Sequence, residues 1–226
     1  MTRLLCVSAV LSAAVAMLPH GARANTIYDN GAPDLSVAIL SDFEDGRQVA
    51  DNFLLQPFAS TITDVHWWGA YFFSDTPTEP DSFTIRVFAD AGGGVPNANF
   101  LAERVVGDVG RTPTGDAIGS DLYEYSAVVD PILLEPNTTY WLSIVNDTTA
   151  DTDDLWYWAV HASIGDGAVR DGEGTAWTGS EPFVNPDVAF SLTGPIVPEP
   201  SSLLLAGVGL LGGAAVCAQR RRVRRS

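Results

Sequence analysis

Between residues 25 and 197 the apolar positions alternate with polar ones in short runs and nowhere recur at the spacing of a helix. The clearest run covers residues 63–73. Val65, Trp67, Gly69, Tyr71 and Phe73 fall on one face, and His66, Trp68, Ala70 and Phe72 on the other. Both faces are apolar, so this strand is expected at the centre of a sheet with cover on each side. Phe83, Ile85 and Val87 alternate with Thr84 and Arg86, the pattern of a half-buried strand ending at Ala89-Asp90-Ala91-Gly92-Gly93-Gly94. Residues 51–55, 123–129, 139–145, 155–161 and 188–192 continue the series. Strands punctuated by turn residues, with little helix, predict an all-β domain of the β-sandwich or jelly-roll type.

Residues 74–81, with Pro77 and Pro80, read as a connection, and residues 97–100 as a turn following Pro96. Residues 107–121, carrying Gly110, Pro113, Gly115 and Gly119, read as a long surface loop. No internal repeat interrupts the span, and a single domain over residues 25–197 is the economical division.

Two apolar stretches break this pattern, one at each end. At the start, Arg3 precedes an apolar run over residues 4–18, and Ala22-Arg23-Ala24 fits the small-x-small cleavage pattern of a secretory signal peptide. Residues 1–24 are thus expected to be removed between Ala24 and Asn25. At the other end, Val197-Pro198-Glu199-Pro200-Ser201 leads into apolar residues 203–218 and then Arg220, Arg221, Arg222, Arg224 and Arg225. Sixteen helical residues span about 24 Å, and snorkelling arginines make up the difference to a hydrocarbon core of about 30 Å. The arginine cluster is expected to stay in the cytoplasm, placing the preceding domain on the far side of the membrane.

The order of Pro198-Glu199-Pro200, apolar helix and arginine cluster over residues 198–226 closely resembles the PEP-CTERM sorting signal of Gram-negative bacteria. The resemblance implies recognition by exosortase, an integral membrane cysteine transpeptidase-like enzyme, and removal of the tail near Pro198, Glu199 and Pro200. It also implies a transient inner-membrane intermediate, then delivery to the cell surface or an exopolysaccharide-containing matrix. A plain single-pass anchor with a chance Pro-Glu-Pro is the alternative. More loosely, Tyr28-Asp29-Asn30-Gly31, Trp67-Trp68-Gly69-Ala70-Tyr71 and Tyr140-Trp141-Leu142-Ser143-Ile144 are similar to lectin-like β-sandwich ectodomains carried by proteins with such tails.

Charge narrows the partners. The whole chain carries 12 basic and 28 acidic residues. With both ends set aside, five arginines against 27 carboxylates leave the domain at −22. That field repels phosphate backbones and excludes nucleic acid, while divalent cations and basic partners are tolerated. Cys6 and Cys217 lie in the leader and the tail, so thiol catalysis, thiolate metal sites and disulfides are excluded from the domain.

Candidate chemistry is correspondingly thin. Trp156 and Trp158 share one strand face, and such rings suit stacking on sugars such as exopolysaccharide, although large aromatics also fill sandwich cores. Asp151, Asp153 and Asp154 crowd one loop and offer the oxygen ligands calcium prefers, without the glycine and distal glutamate of an EF-hand. His66 and His161 form no His-Glu-x-x-His helix, and no Gly-x-Ser-x-Gly elbow or phosphate loop occurs. No catalytic residue is assigned. A binding or structural matrix protein is expected, with a polysaccharide-active hydrolase as the alternative, since two placed carboxylates would suffice for one.

Overall fold

The computed structural model describes residues 24–72, 77–150, 154–162, 166–179 and 187–196. Fourteen strands are formed there: β1 (Ala24–Asp29), β2 (Ala38–Leu40), β3 (Arg47–Leu54), β4 (Thr61–Phe72), β5 (Phe83–Asp90), β6 (Pro96–Gly107) and β7 (Thr112–Ala117), followed by β8 (Asp121–Leu133), β9 (Thr139–Val145), β10 (Leu155–Ala162), β11 (Ala168–Asp171), β12 (Thr178–Gly179), β13 (Asp187–Val188) and β14 (Phe190–Pro195). One sheet has eight strands along the path β1-β14-β4-β10-β13, with β2 on β10, β8 on β4 and β7 on β8. The other has six, in the order β12-β11-β3-β9-β5-β6. The fold is the all-β sandwich that the alternation predicts.

β4 is the hub. Along one edge it pairs with β8, from Thr61↔Leu133 to Ala70↔Leu122. Along the other it takes β14 first, from Asp64↔Thr193 to Trp67↔Phe190, and then β10, from Gly69↔Trp158 to Phe72↔Leu155. Its inward residues Val65, Trp67 and Tyr71 join the main core, which also draws Phe83, Ile85 and Val87 from β5 and Tyr140, Leu142 and Ile144 from β9. Its outer residues Trp68 and Phe72 pack on a smaller cluster of Ala38, Ile118, Leu122 and Ala159. This is the cover on both faces that two apolar sides require. Inside, Trp67 stacks on Tyr125 at 5.6 Å and 10°, and Phe83 meets Trp67, Tyr125 and Trp156 edge-on at 5.2, 4.9 and 5.1 Å. Edge-to-face contacts of this kind add about 0.5–1.5 kcal/mol each beyond area burial.

Several expectations are corrected. Residues 97–100 are not a turn but lie within β6. The turn is one step earlier, where Gly92, Gly93 and Gly94 all take positive φ, and Pro96 opens the strand, where its missing N–H is tolerated. Residues 107–121 are not all loop: β7 pairs with β8 through Thr112↔Glu124, Pro113↔Tyr123 and Ala117↔Asp121. Neither strand announces itself, because all six residues of β7 and positions 97–101 of β6 are exposed and carry no alternation. The third correction concerns β5, whose polar residues Thr84 and Arg86 are buried as well as its apolar ones.

β1 lies antiparallel beside β14, with Ala24 opposite Pro195 and Asn25 opposite Gly194. The domain therefore begins and ends on adjacent strands. Among the described residues no helix is long and apolar enough to cross a membrane, and residues 203–218 lie outside them.

Candidate functional site

Trp156 and Trp158 are not a surface platform. Both are fully buried, as β10 is flanked by β4 and β2 and turns its even-numbered residues into the core. The Trp158 indole N–H donates to Ala189 O at 3.0 Å, and its ring lies 6.3 Å from that of Trp156. Neither ring can meet a sugar.

Asp154 is also buried, in a cleft of about 10 Å³ shared with Asp81, Asp147 and Arg111. The guanidinium there donates to Asp81 at 3.0 and 3.1 Å, and the Tyr71 hydroxyl and the Asn146 amide also hydrogen-bond that carboxylate. No group of three or more metal-binding side chains occurs among the described residues. Asp151 and Asp153 lie outside them, as do Pro198, Glu199, Pro200, Arg220, Arg221, Arg222, Arg224 and Arg225.

A second carboxylate points inward. Asp51 of β3 accepts from Asn30 Nδ2 at 2.8 Å, Val188 N at 2.9 Å and Asn52 N at 2.7 Å. Burial first, and the charge of Asp187 second, push its carboxyl well above the usual range. The Tyr28 phenol nearby is pushed up to about 12, chiefly by burial, then by Asp51. Every oxygen of Asp51 is engaged, which marks a structural acid.

The outer face of the six-stranded sheet is different. Alternation turns Gln48 and Ala50 of β3, Trp141 and Ser143 of β9, Arg86 and Phe88 of β5, and Ala168 and Arg170 of β11 away from the core. Register lines them up, with Arg86 opposite Ser143, Ser143 opposite Ala50, Ala50 opposite Ala168 and Gln48 opposite Arg170. In a plain sandwich this face would be solvated. Here all eight residues are buried, with Arg86 5% exposed and Arg170 3%.

The cover comes from distant segments. Arg86 Cζ sits 5.3 Å from the ring centres of both Phe43 and Phe100. Arg170 Cζ lies 4.5 Å from Trp177 and 5.6 Å from Phe88, and these two rings meet edge-on at 5.3 Å. Cation–π contacts of this kind are stronger when desolvated. Arg86 also donates to Glu103 at 2.7 Å and to Glu173 at 3.0 Å, whereas Arg170 donates to the neutral Gln48. Burial, followed by the charge of Arg86, lowers the proton affinity of Arg170.

The model of a domain of unknown function, DUF7901, matches residues 33–193, from the segment after β1 into β14. The chain belongs to the DUF7901 family. In this DUF7901 member the PEP-CTERM protein-sorting motif matches residues 197–222, so the domain is followed by the tail of an exosortase substrate. None of the curated proteins matches it. A crystal structure of the cysteine protease and lectin-like domains of Cwp84, a surface layer associated protein of Clostridium difficile, aligns with a TM-score of 0.45 at 11% identity, over 67% of this chain and 33% of that one. The DUF7901 chain thus spans about a third of that protein, and at this distance the likeness bears on neither ligand nor activity.

The sequence reading missed this face. Its one visible signal was that two of the five arginines in an acidic domain, Arg86 and Arg170, stand among apolar strand residues.

Proposed function

We propose that this exosortase-sorted, exported protein is a carbohydrate-binding component of the cell surface or extracellular matrix, and that it engages exopolysaccharide through the outer face of its six-stranded sheet. One observation carries the reading: Phe43, Phe100 and Trp177, from other segments, gather around the two guanidinium groups of a sheet face, and Phe100 is 43% exposed. Aromatic faces suit the apolar side of a sugar ring, and rigid planar donors suit its oxygens. The proposed action is binding without turnover. Glu103 and Glu173 are both spent on Arg86, and Asp90 accepts from the Trp141 indole N–H at 3.0 Å, so none of these three is a free acid–base group.

Retention on purified exopolysaccharide tests this. Trp177→Ala and Phe100→Ala should each lower retention at least tenfold with the fold intact, and no reducing sugar should be released. Undiminished retention of both variants would remove the proposal. Sugar release lost on neutralising one carboxylate would replace binding with hydrolysis.

A further inference from the structure

Two sheet edges face each other across one flank of the sandwich. β6 ends the six-stranded sheet. β8 has β4 along one side, and on the other it has β7 only as far as Glu124 opposite Thr112. From Tyr125 to Val129 no strand among the described residues lies on that second side. Beyond it, Arg104 of β6 donates to Asp130 O at 3.0 Å and to Pro131 O at 3.1 Å. Pro131 and the register break between Ile62 and Asp64 also protect that end, as such features do on exposed edges. Between these stops lie about 17 Å of open edge at a strand's rise of about 3.4 Å per residue. The residues there, Tyr125-Ser126-Ala127-Val128-Val129, include neither a charge nor a proline to blunt it.

The edge opens on a groove of about 450 Å³ between β6 and β8. Its floor is apolar: Ala127 and Val129 turn into the main core, and Val106 and Val109 pack half-buried against that core. Its rim is acidic. Val128 stands 84% exposed between Ser126 and Asp130 on the outer face. Asp130 lines the groove, Asp108 adjoins Val109 and Glu124 precedes the gap, and none of the three has an ion pair among the described residues. The lining cation, Arg104, gives its N–H groups to the backbone carbonyls of Glu103, Asp130 and Pro131. Asp64 and His66, opposite Val128 and Ser126 on β4, pair with each other at 2.6 Å.

We infer that this gap receives an extended basic segment of a partner protein, added to β8 as a further strand. Its backbone takes up the open N–H and C=O groups of the edge, the way a peptide adds to a sheet. Period-two alternation then sends every other side chain onto Val106, Val109 and Val129, where apolar residues fit. The rest stand outward beside Glu124 and Asp130, where lysine or arginine fits. A second copy of this chain is the poorer occupant, since two domains at −22 repel each other, and an acidic strand meets the same field. A basic strand is drawn in by it. The sugar and the strand meet different residues, so either can bind without the other.

The probe is a short synthetic peptide of alternating valine and lysine, titrated into the exported protein and followed by fluorescence anisotropy and amide hydrogen exchange. It should bind at low salt and slow exchange within residues 125–129. The same peptide with two prolines inserted at its centre keeps the charge but cannot pair along the edge, and should bind at least tenfold more weakly. Serine in place of valine should weaken it as much, because the groove floor is apolar. Val128→Lys, at an exposed site, should leave the melting temperature unchanged and lower binding of the valine–lysine peptide at least tenfold. Equal binding of the proline peptide, or protection elsewhere on the domain, would reduce the effect to charge attraction and overturn the inference. Absence of binding, or tighter binding of a valine–glutamate peptide, would overturn it too. A dimer of the protein alone that Val128→Lys dissociates would give the edge to a second copy and overturn the basic partner.

Discussion

The indole of Trp156 lies across Gly69, so that a Cβ at residue 69 would fall 2.4 Å from Nε1 and 2.6 Å from Cε2 and Cζ2. The two residues sit on paired strands, β4 and β10, and glycine is required for room rather than for backbone conformation. Gly69→Ala should lower stability by about 1–3 kcal/mol, the usual effect of overpacking a filled core. Urea unfolding measures it, and adding Trp156→Phe should recover part of the loss. An unchanged midpoint in the single variant would contradict the packing described.

Truncating two tryptophans should separate fold from function. Trp158→Ala removes a fully buried ring and should cost about 3–5 kcal/mol. Trp177→Ala lies outside the main core and should cost less while removing retention on polysaccharide. Melting and retention measured on the same preparations check both halves.

Acidification should stabilise this domain. The carboxyls of Asp42, Asp51, Asp64 and Asp187 are all raised, each chiefly by burial. The folded state therefore binds protons more tightly than the unfolded chain. The stability this gives is complete below the ordinary carboxylate value of about 3.9 and is lost as pH rises through the raised values. Lower net charge on a domain at −22 works in the same direction. The urea midpoint should be higher at pH 5 than at pH 7.5, and Asp51→Asn should flatten the difference. A midpoint that drops over this interval would show that other groups dominate.

Asp81 ties residues 77–81 to the sandwich. It is bonded by Tyr71, Asn146 and Arg111, and Arg111 also donates to Pro77 O at 2.9 Å. Asp81→Ala leaves a half-buried guanidinium without its counter-charge and should cost about 3–5 kcal/mol. Replacing Arg111 as well should restore part of it, as a double-mutant cycle would record.

Processing at both ends has a single readout. The protein recovered from the medium should have a mass that starts at Asn25 and ends near Pro198. Glu199→Ala should leave the tail attached and the protein in the membrane fraction.

Strands buried on at least one face were legible in the sequence. β4, β8, β9 and β10 follow from alternating apolar residues, and even the shared side of Trp156 and Trp158 was readable. Which way that side turned was not, because it depends on β10 lying between β4 and β2. β6 and β7 left little trace, since exposure on both faces removes the period. The covered outer face of the six-stranded sheet was hidden for a further reason. Alternation alone assigns Arg86 to solvent, and nothing local reveals that Phe43, Phe100 and Glu173 will converge on it from 43 residues before to 87 after. Covalent neighbours set a strand's sidedness, while the cover over it is a property of the whole chain.

β14 is held on one side by β1 and on the other by β4. Residue 197, where the sorting motif begins, comes two positions after the last residue of that strand, Pro195. A cut after residue 197 would therefore leave every cross-strand bond of β14 in place, with both of its edges still occupied.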